Sequence, residues 1–137
     1  MTIEYAVVVI VKKGEKILMY NRKSENEDQW TVIGGHLECG ESIFECAKRE
    51  VSEETNIHIG NLKFLTILED INKTKHCISC YVLADYVSGD LKGNLEEGIF
   101  ELKWVKMKQL PNKIYKPFSL FLKRKTINKF NYSSLSK

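Results

Sequence analysis

The sequence predicts an α+β domain, and three observations carry that prediction. A β-branched run, Val7 to Val11, is followed after a polar turn by a second apolar run, Ile17-Leu18-Met19-Tyr20. A stretch near residues 42–55 has helical periodicity and opens with a capping pattern. Further strand-like runs follow it, and a last apolar stretch with a basic ending reads as a second helix. The order is strands, helix, strands, helix, which on pattern alone is α+β.

The chain of 137 residues is long enough to bury a core and short for two typical domains, so a single domain over residues 1–130 is expected. Residues 131–137 read as a disordered tail. Hydrophobic residues at 43% and charged residues at 28% are ordinary for a globular protein. The net charge of +3 is too small to argue for a nucleic-acid partner by itself. The apolar start, Tyr5 to Val11, is too short for a membrane span and carries Glu4 where a signal peptide would be basic, so a cytoplasmic protein is expected.

Val7 to Val11 reads as a buried strand, Lys12 to Lys16 as a turn around Gly14, and Ile17 to Tyr20 as the returning strand. Asn21 to Gln29 is polar and aperiodic, hence a loop. Trp30 to Ile33 reads as a short strand delivering the chain to a glycine turn, Gly34-Gly35; Trp30 reads as core, with stacking on a base as the alternative. After the helix, Asn61 to Leu68 and His76 to Tyr86 read as strands joined by a turn at Ile71 to Lys75. Residues 88–94 form a loop, Ile99 to Val105 another strand, and Phe118 to Lys125 a helix whose basic end suits its C-terminus.

The first helix carries the chemistry. Ser42 and Glu45 form a capping box, and Phe44, Ala47 and Val51 form the stripe that anchors the helix to the core. Glu50, Glu53 and Glu54, at i, i+3 and i+4, project from one face, mostly off that stripe. Like charges at this spacing destabilise an isolated helix. A hard divalent cation with oxygen ligands resolves the conflict: Mg2+, with Mn2+ as a substitute. The glycines before the helix permit close backbone approach, so a carbonyl there is a candidate further ligand.

Gly35, five residues, Glu41, seven residues, then Arg49-Glu50-Val51-x-Glu53-Glu54-x-x-Ile57 resembles the Nudix box. Asn56 stands where the family has a glycine, and asparagine is the next most tolerant residue of the left-handed conformation that closes a helix. Ile33 replaces the proline often found before the glycines. The resemblance, to the MutT-like branch, sharpens the fold to an α/β/α sandwich with a mixed β-sheet between helices. It implies that Gly35, Glu50, Glu53 and Glu54 hold the metal, that Glu41 supports the site, and that Arg49 holds the glutamates in place. Glu38 reads as structural. Arg22 lies near a phosphate-contacting arginine of the family, and Gly34, Gly35 and His36 are the other candidate substrate contacts.

Family members often carry a glutamate shortly before a tryptophan-valine such as Trp104-Val105. Glu97 is the first choice and Glu101 the second, as a further metal ligand or as the base for the attacking water; Glu53 is the other candidate base. Cys77 and Cys80, three apart in a strand, point to opposite faces, and Cys39 and Cys46 complete no zinc pattern, so all four thiols are expected reduced. His36, His58 and His76 lack the spacing of a metal set.

The expected function is metal-dependent hydrolysis of nucleoside diphosphate-linked compounds. The resemblance favours a (deoxy)nucleoside triphosphate, oxidised guanine nucleotides included, cleaved to monophosphate and pyrophosphate. ADP-ribose or a dinucleotide is the alternative, and a nucleotide-sensing module without catalysis is the alternative of another class. The expected partner is a small nucleotide, with a homodimer left open.

Overall fold

The computed structural model describes residues 2–23, 25–99 and 101–124, and its organising strand is β1 (Ile3–Lys13). One edge of β1 runs parallel to β6 (His76–Ser88), from Ile3 opposite His76 to Lys12 opposite Asp85. Its other edge is shared between two antiparallel partners. Ala6 to Val9 pair with β4 (Ile33–His36), and Lys12 and Lys13 with β2 (Lys16–Asn21). Outside β6 lies antiparallel β5 (His58–Ile71), and outside β2 lie β3 (Trp30–Thr31) and β7 (Leu102–Lys106). The result is a mixed seven-stranded sheet between α1 (Ile43–Thr55) and α2 (Lys116–Lys123), an α/β/α sandwich.

Alternation along β1 builds both layers of the core, because successive side chains of a strand point to opposite faces. Val7, Val9 and Val11 join Cys46, Ala47 and Val51 of α1. Ile10, with Val8 packed alongside, joins Phe118 and Phe121 of α2. Phe121 stacks on Tyr81 of β6 with ring centroids 4.1 Å apart. A strand buried on both faces reads as a continuous apolar run, which is why Val7 to Val11 shows no alternation in sequence.

Helix α1 begins as the capping box requires. Ser42 Oγ accepts from the Glu45 amide at 3.1 Å, and Glu45 Oε1 accepts from the Ser42 amide at 3.2 Å. It ends at Asn56, whose φ of 65° is left-handed and whose side-chain amide donates to the Asp90 carbonyl at 3.1 Å. Gly89 packs against that same turn at φ +98°, where a Cβ would lie 2.7 Å from the Asn56 carbonyl oxygen.

Several expectations are corrected. Gly34 and Gly35 are strand residues of β4, opposite Val8 and Val7, and form no turn. The hairpin turn is shorter than expected because β1 runs to Lys13 and β2 starts at Lys16. Strand β5 runs from His58 to Ile71, longer than expected at both ends, and β6 starts at His76 as expected and continues to Ser88. Strand β7 begins at Leu102, since Asn94 starts a 3-10 turn (Leu95–Glu97) and Ile99 is a buried plug after it. Helix α2 starts two residues early, with Pro117 in its first turn, where a missing amide costs nothing. Phe44 is 41% exposed, and Cys46 takes its place in the core. The expected tail at residues 131–137 lies outside the described residues.

The Asn56 turn generates a prediction. Asn56→Ala keeps a β-carbon in the left-handed region, loses the tie to Asp90, and is expected to destabilise the fold by about 1–2 kcal/mol in urea unfolding. An unchanged midpoint would show that the turn tolerates any side chain.

Candidate active site

Glu50 sits where Gly35 has no side chain. A Cβ on Gly35 would fall onto the Glu50 carboxyl group, so the strand and the helix meet in a contact that only glycine permits. Gly34 is constrained from the other side, its would-be Cβ lying 2.9 Å from the Val7 carbonyl oxygen. The paired glycines thus serve close approach within the sheet.

Arg49 gathers the acids around this contact. Its Nε and Nη2 donate to the two oxygens of Glu41 at 2.6 and 3.0 Å, a bidentate pair. Nη1 donates to Glu50 at 2.9 Å and to Glu53 at 3.3 Å, and Nη2 also reaches the His36 carbonyl at 3.2 Å. One guanidinium therefore ties the loop before α1, the end of β4 and two turns of the helix together. The bond to Arg49 holds the Glu41 carboxyl down at about 2. Glu38, exposed, makes a longer ion pair with Arg49 Nη1 at 3.7 Å, and its amide donates to Glu41 Oε1 at 3.2 Å.

The remaining acids carry the opposite imbalance. Glu54 is only 8% exposed, so the acidic face is partly sunk against the sheet, and this corrects the expectation that these carboxylates lie mostly off the buried stripe. Burial, then the charge and hydrogen bonding of Glu50, then the charges of Glu97 and Glu53, push the Glu54 carboxyl up to about 9. Burial also raises Glu50, against the pull of Arg49. Glu54 Oε2 is buried and has no hydrogen-bond partner among the described residues. A buried, orphaned carboxylate oxygen is costly unless something cationic meets it. Among the described residues no three acidic, histidine or cysteine side chains converge tightly enough to hold an ion as they stand. Arg49 engages Glu41, Glu50 and Glu53, while the orphaned Glu54 oxygen, the Gly35 cradle and the hard-oxygen donor set fit a divalent cation.

The structure brings Glu97 to this cluster and places Glu101 elsewhere. Asn94 Oδ1 accepts from the Glu96 and Glu97 amides at 3.1 and 3.3 Å, and its Nδ2 donates to the Glu53 carbonyl at 3.1 Å, docking the 3-10 turn onto α1. Glu101 instead pairs with Lys23 at 2.8 Å and accepts from buried Asn21 at 3.2 Å. Asn94 is a residue that sequence reasoning passed over; an Asn two residues before a Glu pair is a local turn signal, but nothing in sequence ties it to α1.

On the other side of β4, where the partners of β1 diverge, a cavity of about 320 Å³ opens between the sheet and α2. Gly34, Gly35 and His36 line it from β4, and Arg22 and Tyr115 from the rim. The Arg22 guanidinium lies 4.0 Å from the Tyr115 ring centroid, a stacked pair that sequence alone does not disclose. The His36 ring is exposed and 3.4 Å from Glu4, while its carbonyl serves Arg49. Trp30 is buried in the core under Lys103 and is absent from the cavity wall. The four cysteines are free thiols.

Comparison with known proteins agrees with the fold. The NAD-capped RNA hydrolase NudC of Vibrio parahaemolyticus is 32% identical over 105 residues, which make up 77% of this chain and 39% of that protein. The chain thus spans about two fifths of the length of the curated relatives it matches. A MutT Nudix hydrolase from Burkholderia pseudomallei superposes with a TM-score of 0.79 at 20% identity, covering 91% of this chain and 99% of that one. A Nudix hydrolase from Nitrosomonas europaea gives 0.77 at 20% identity, with coverages of 98% and 91%. At such identities the structural likeness speaks for the fold. With residues 2–125 matching the NUDIX domain, the chain belongs to the Nudix family of hydrolases.

Proposed function

We propose that the protein is a Mg2+-dependent hydrolase of nucleoside diphosphate-linked compounds, and that it cleaves (deoxy)nucleoside triphosphates to monophosphate and pyrophosphate. The observation that carries the reading is the orphaned Glu54 carboxylate beside Glu50 in the Gly35 cradle, one strand away from a cavity of nucleoside size. Glu50, Glu53, Glu54 and the Gly35 carbonyl would hold the cation, with Glu97 as a further ligand. Bound there, Mg2+ supplies neutralisation of the diphosphate and a lowered pKa for the attacking water.

This chain's own residues do the rest. Arg49 fixes Glu50 and Glu53 against their mutual repulsion. Arg22, which lines the cavity with its guanidinium 4.0 Å from the Tyr115 ring centroid, would take phosphate oxygens. The nucleoside occupies the cavity under α2. Water attacks phosphorus, its proton passes to Glu53 or Glu97, and pyrophosphate leaves. The named substrate of the NudC relatives favours a second reading, a dinucleotide-type pyrophosphate cleaved at the same site, with ADP-ribose in the same class.

A panel of common and oxidised triphosphates, ADP-ribose and diadenosine polyphosphates, at fixed Mg2+, tests the choice. Pyrophosphate release from one or a few triphosphates is expected; AMP from ADP-ribose with triphosphates untouched would transfer the proposal to the second reading. Glu53→Gln is expected to lower kcat by about a hundredfold or more with the fold intact, and full activity with Mg2+ would remove Glu53 from the site. For Glu97→Gln, a loss smaller than about threefold would return that residue to the solvated surface.

The site also predicts a pH dependence. Glu54 at about 9, raised from 4.5, keeps in the fold a proton that the unfolded chain releases, so the metal-free protein loses stability as pH rises from about 4.5 to 9. Glu41, depressed to about 2, acts oppositely: its contribution is present above about 4.5 and lost as pH falls toward 2. In EDTA at pH 8, Glu54→Gln is expected to raise the Tm by about 4 °C, the equivalent of roughly 1 kcal/mol in a small domain. Added Mg2+ is expected to raise the wild-type Tm and to do less for the variant. A variant melting below wild type in EDTA would contradict the buried-charge argument.

A further inference from the structure

The chain between β6 and β7 does not cross open surface. Residues 89–99 run along the C-terminal end of α1 and are tied to it at three points. The Asn56 side chain donates to the Asp90 carbonyl at 3.1 Å, the Lys92 amide to the Thr55 carbonyl at 3.0 Å, and Asn94 Nδ2 to the Glu53 carbonyl at 3.1 Å. A helix leaves its last four carbonyls without partners of its own. In α1 the Ser52 carbonyl is met by the Asn56 amide at 3.0 Å, while those of Glu53 and Thr55 are met by this segment. Both ends of the segment are anchored as well. The Gly89 carbonyl accepts from Tyr86 Oη at 2.7 Å, and Ile99 is buried in the core.

Asn94 is the tie that bears on the acids. Its Oδ1 accepts from the Glu96 and Glu97 amides, and its own carbonyl accepts from the amides of Glu97 at 3.1 Å and Ile99 at 2.9 Å. One side chain therefore joins the backbone of Glu53 to the backbone of Glu97, the two acids that are candidates to take the proton of the attacking water. Burial and Glu50 come first among the causes that raise the Glu54 carboxyl, and the charge of Glu97 follows them, so the acid of this segment is felt at the cluster. A turn capped for its own sake needs only an acceptor at the cap. Asn94 adds a donor on the same short stem and spends it on another element. Aspartate would cap the turn without that donor, and serine is too short to do both.

We propose that Asn94 is a positioning residue for the hydrolysis: its side-chain amide sets Glu97 against Glu53 before substrate arrives, so that the segment carrying Glu97 works as a fixed strap on α1. The bland alternative is that the three ties only close the end of the helix. In that case the donor to Glu53 adds stability and nothing else.

The inference rests on the nucleotide-hydrolase reading above and is tested with the triphosphate turned over best. Asn94→Ser keeps an oxygen to cap the turn and loses the reach to Glu53. Its kcat is expected to fall about tenfold or more, with KM within about twofold of wild type because the cavity residues are untouched. In the double variant N94S/E97Q the loss is expected to match that of Glu97→Gln alone to within about twofold, since Asn94 acts through Glu97. A readout without turnover accompanies these. In EDTA, trypsin is expected to cut the Asn94→Ser protein after Lys92 about fivefold faster or more than wild type, because the untied segment opens more often. Should that variant misfold, Asn94→Asp, which keeps the shape and the acceptor and removes the donor, decides by the same readouts. A kcat for Asn94→Ser within about twofold of wild type, losses that multiply in the double variant, or cleavage after Lys92 at the wild-type rate would each reduce the ties to a helix cap. Any of these overturns the inference and leaves the hydrolase reading standing. A loss smaller than about threefold in Glu97→Gln would do the same, by leaving Asn94 nothing to position. No turnover of any phosphoanhydride by the wild type would overturn both.

Discussion

The structure depends on the contact between Gly35 and Glu50. A carboxyl group occupies the volume that any other residue at position 35 would fill, so β4 and α1 are locked in one register by a steric fact. Arg49 meets the charge it brings in at 2.9 Å, against the burial that raises the Glu50 carboxyl. The same guanidinium reaches Glu41 before the helix and the His36 carbonyl after the glycines, closing a ring through three segments of chain. Two features then hold the helix itself in place: the Ser42 box at its start and the left-handed Asn56 at its end. The core stripe of Cys46, Ala47 and Val51 supplies the apolar burial that offsets the electrostatic cost.

A second consequence follows from how β1 divides its edge. Pairing first with β4 and then with β2, it splits the sheet beside the acidic cluster. The cavity is lined from both sides of that split and roofed by α2, whose Phe118 and Phe121 are fully buried against Tyr81 and Ile10. The acids belong to the α1 layer and the cavity to the α2 layer. Gly34, Gly35 and His36 are the strand they have in common, and the absence of side chains at two of these positions lets the layers come so close.

What was legible in the sequence was local. The capping box, the acidic spacing and the tolerance of asparagine at the helix end are rules of a few residues, and each is met in α1. The mixed sandwich came from the box as a whole, because no local rule pairs β1 in parallel with a strand more than 70 residues later. The glycine pair was misplaced in a turn because glycine serves turns and close approaches equally well, and only the neighbour decides which. Phe44 fits the helical stripe by angle yet lies in the first turn, where Ile43 and Cys46 are the residues that meet the core. Asn94, Tyr115 and the separation of Glu97 from Glu101 depend on contacts across tens of residues, and nothing in their neighbourhoods announces them.

The local and global preferences conflict at one place. Glu54 is buried with one oxygen orphaned, beside a carboxylate that raises its cost, on a helix that would be more stable with an apolar residue there. A chain selected for stability alone would not keep it, since ordinary packing repairs such a site readily. Every surrounding device nevertheless maintains the arrangement: Arg49 restrains two of its neighbours, Asn94 docks Glu97 toward it, and Gly35 leaves room for Glu50. Consistency everywhere except at one acidic cluster is the pattern expected where function sets the terms. The orphaned Glu54 oxygen is the observation on which the proposed cation site rests, and Arg49, Asn94 and Gly35 keep the residues around it where they are.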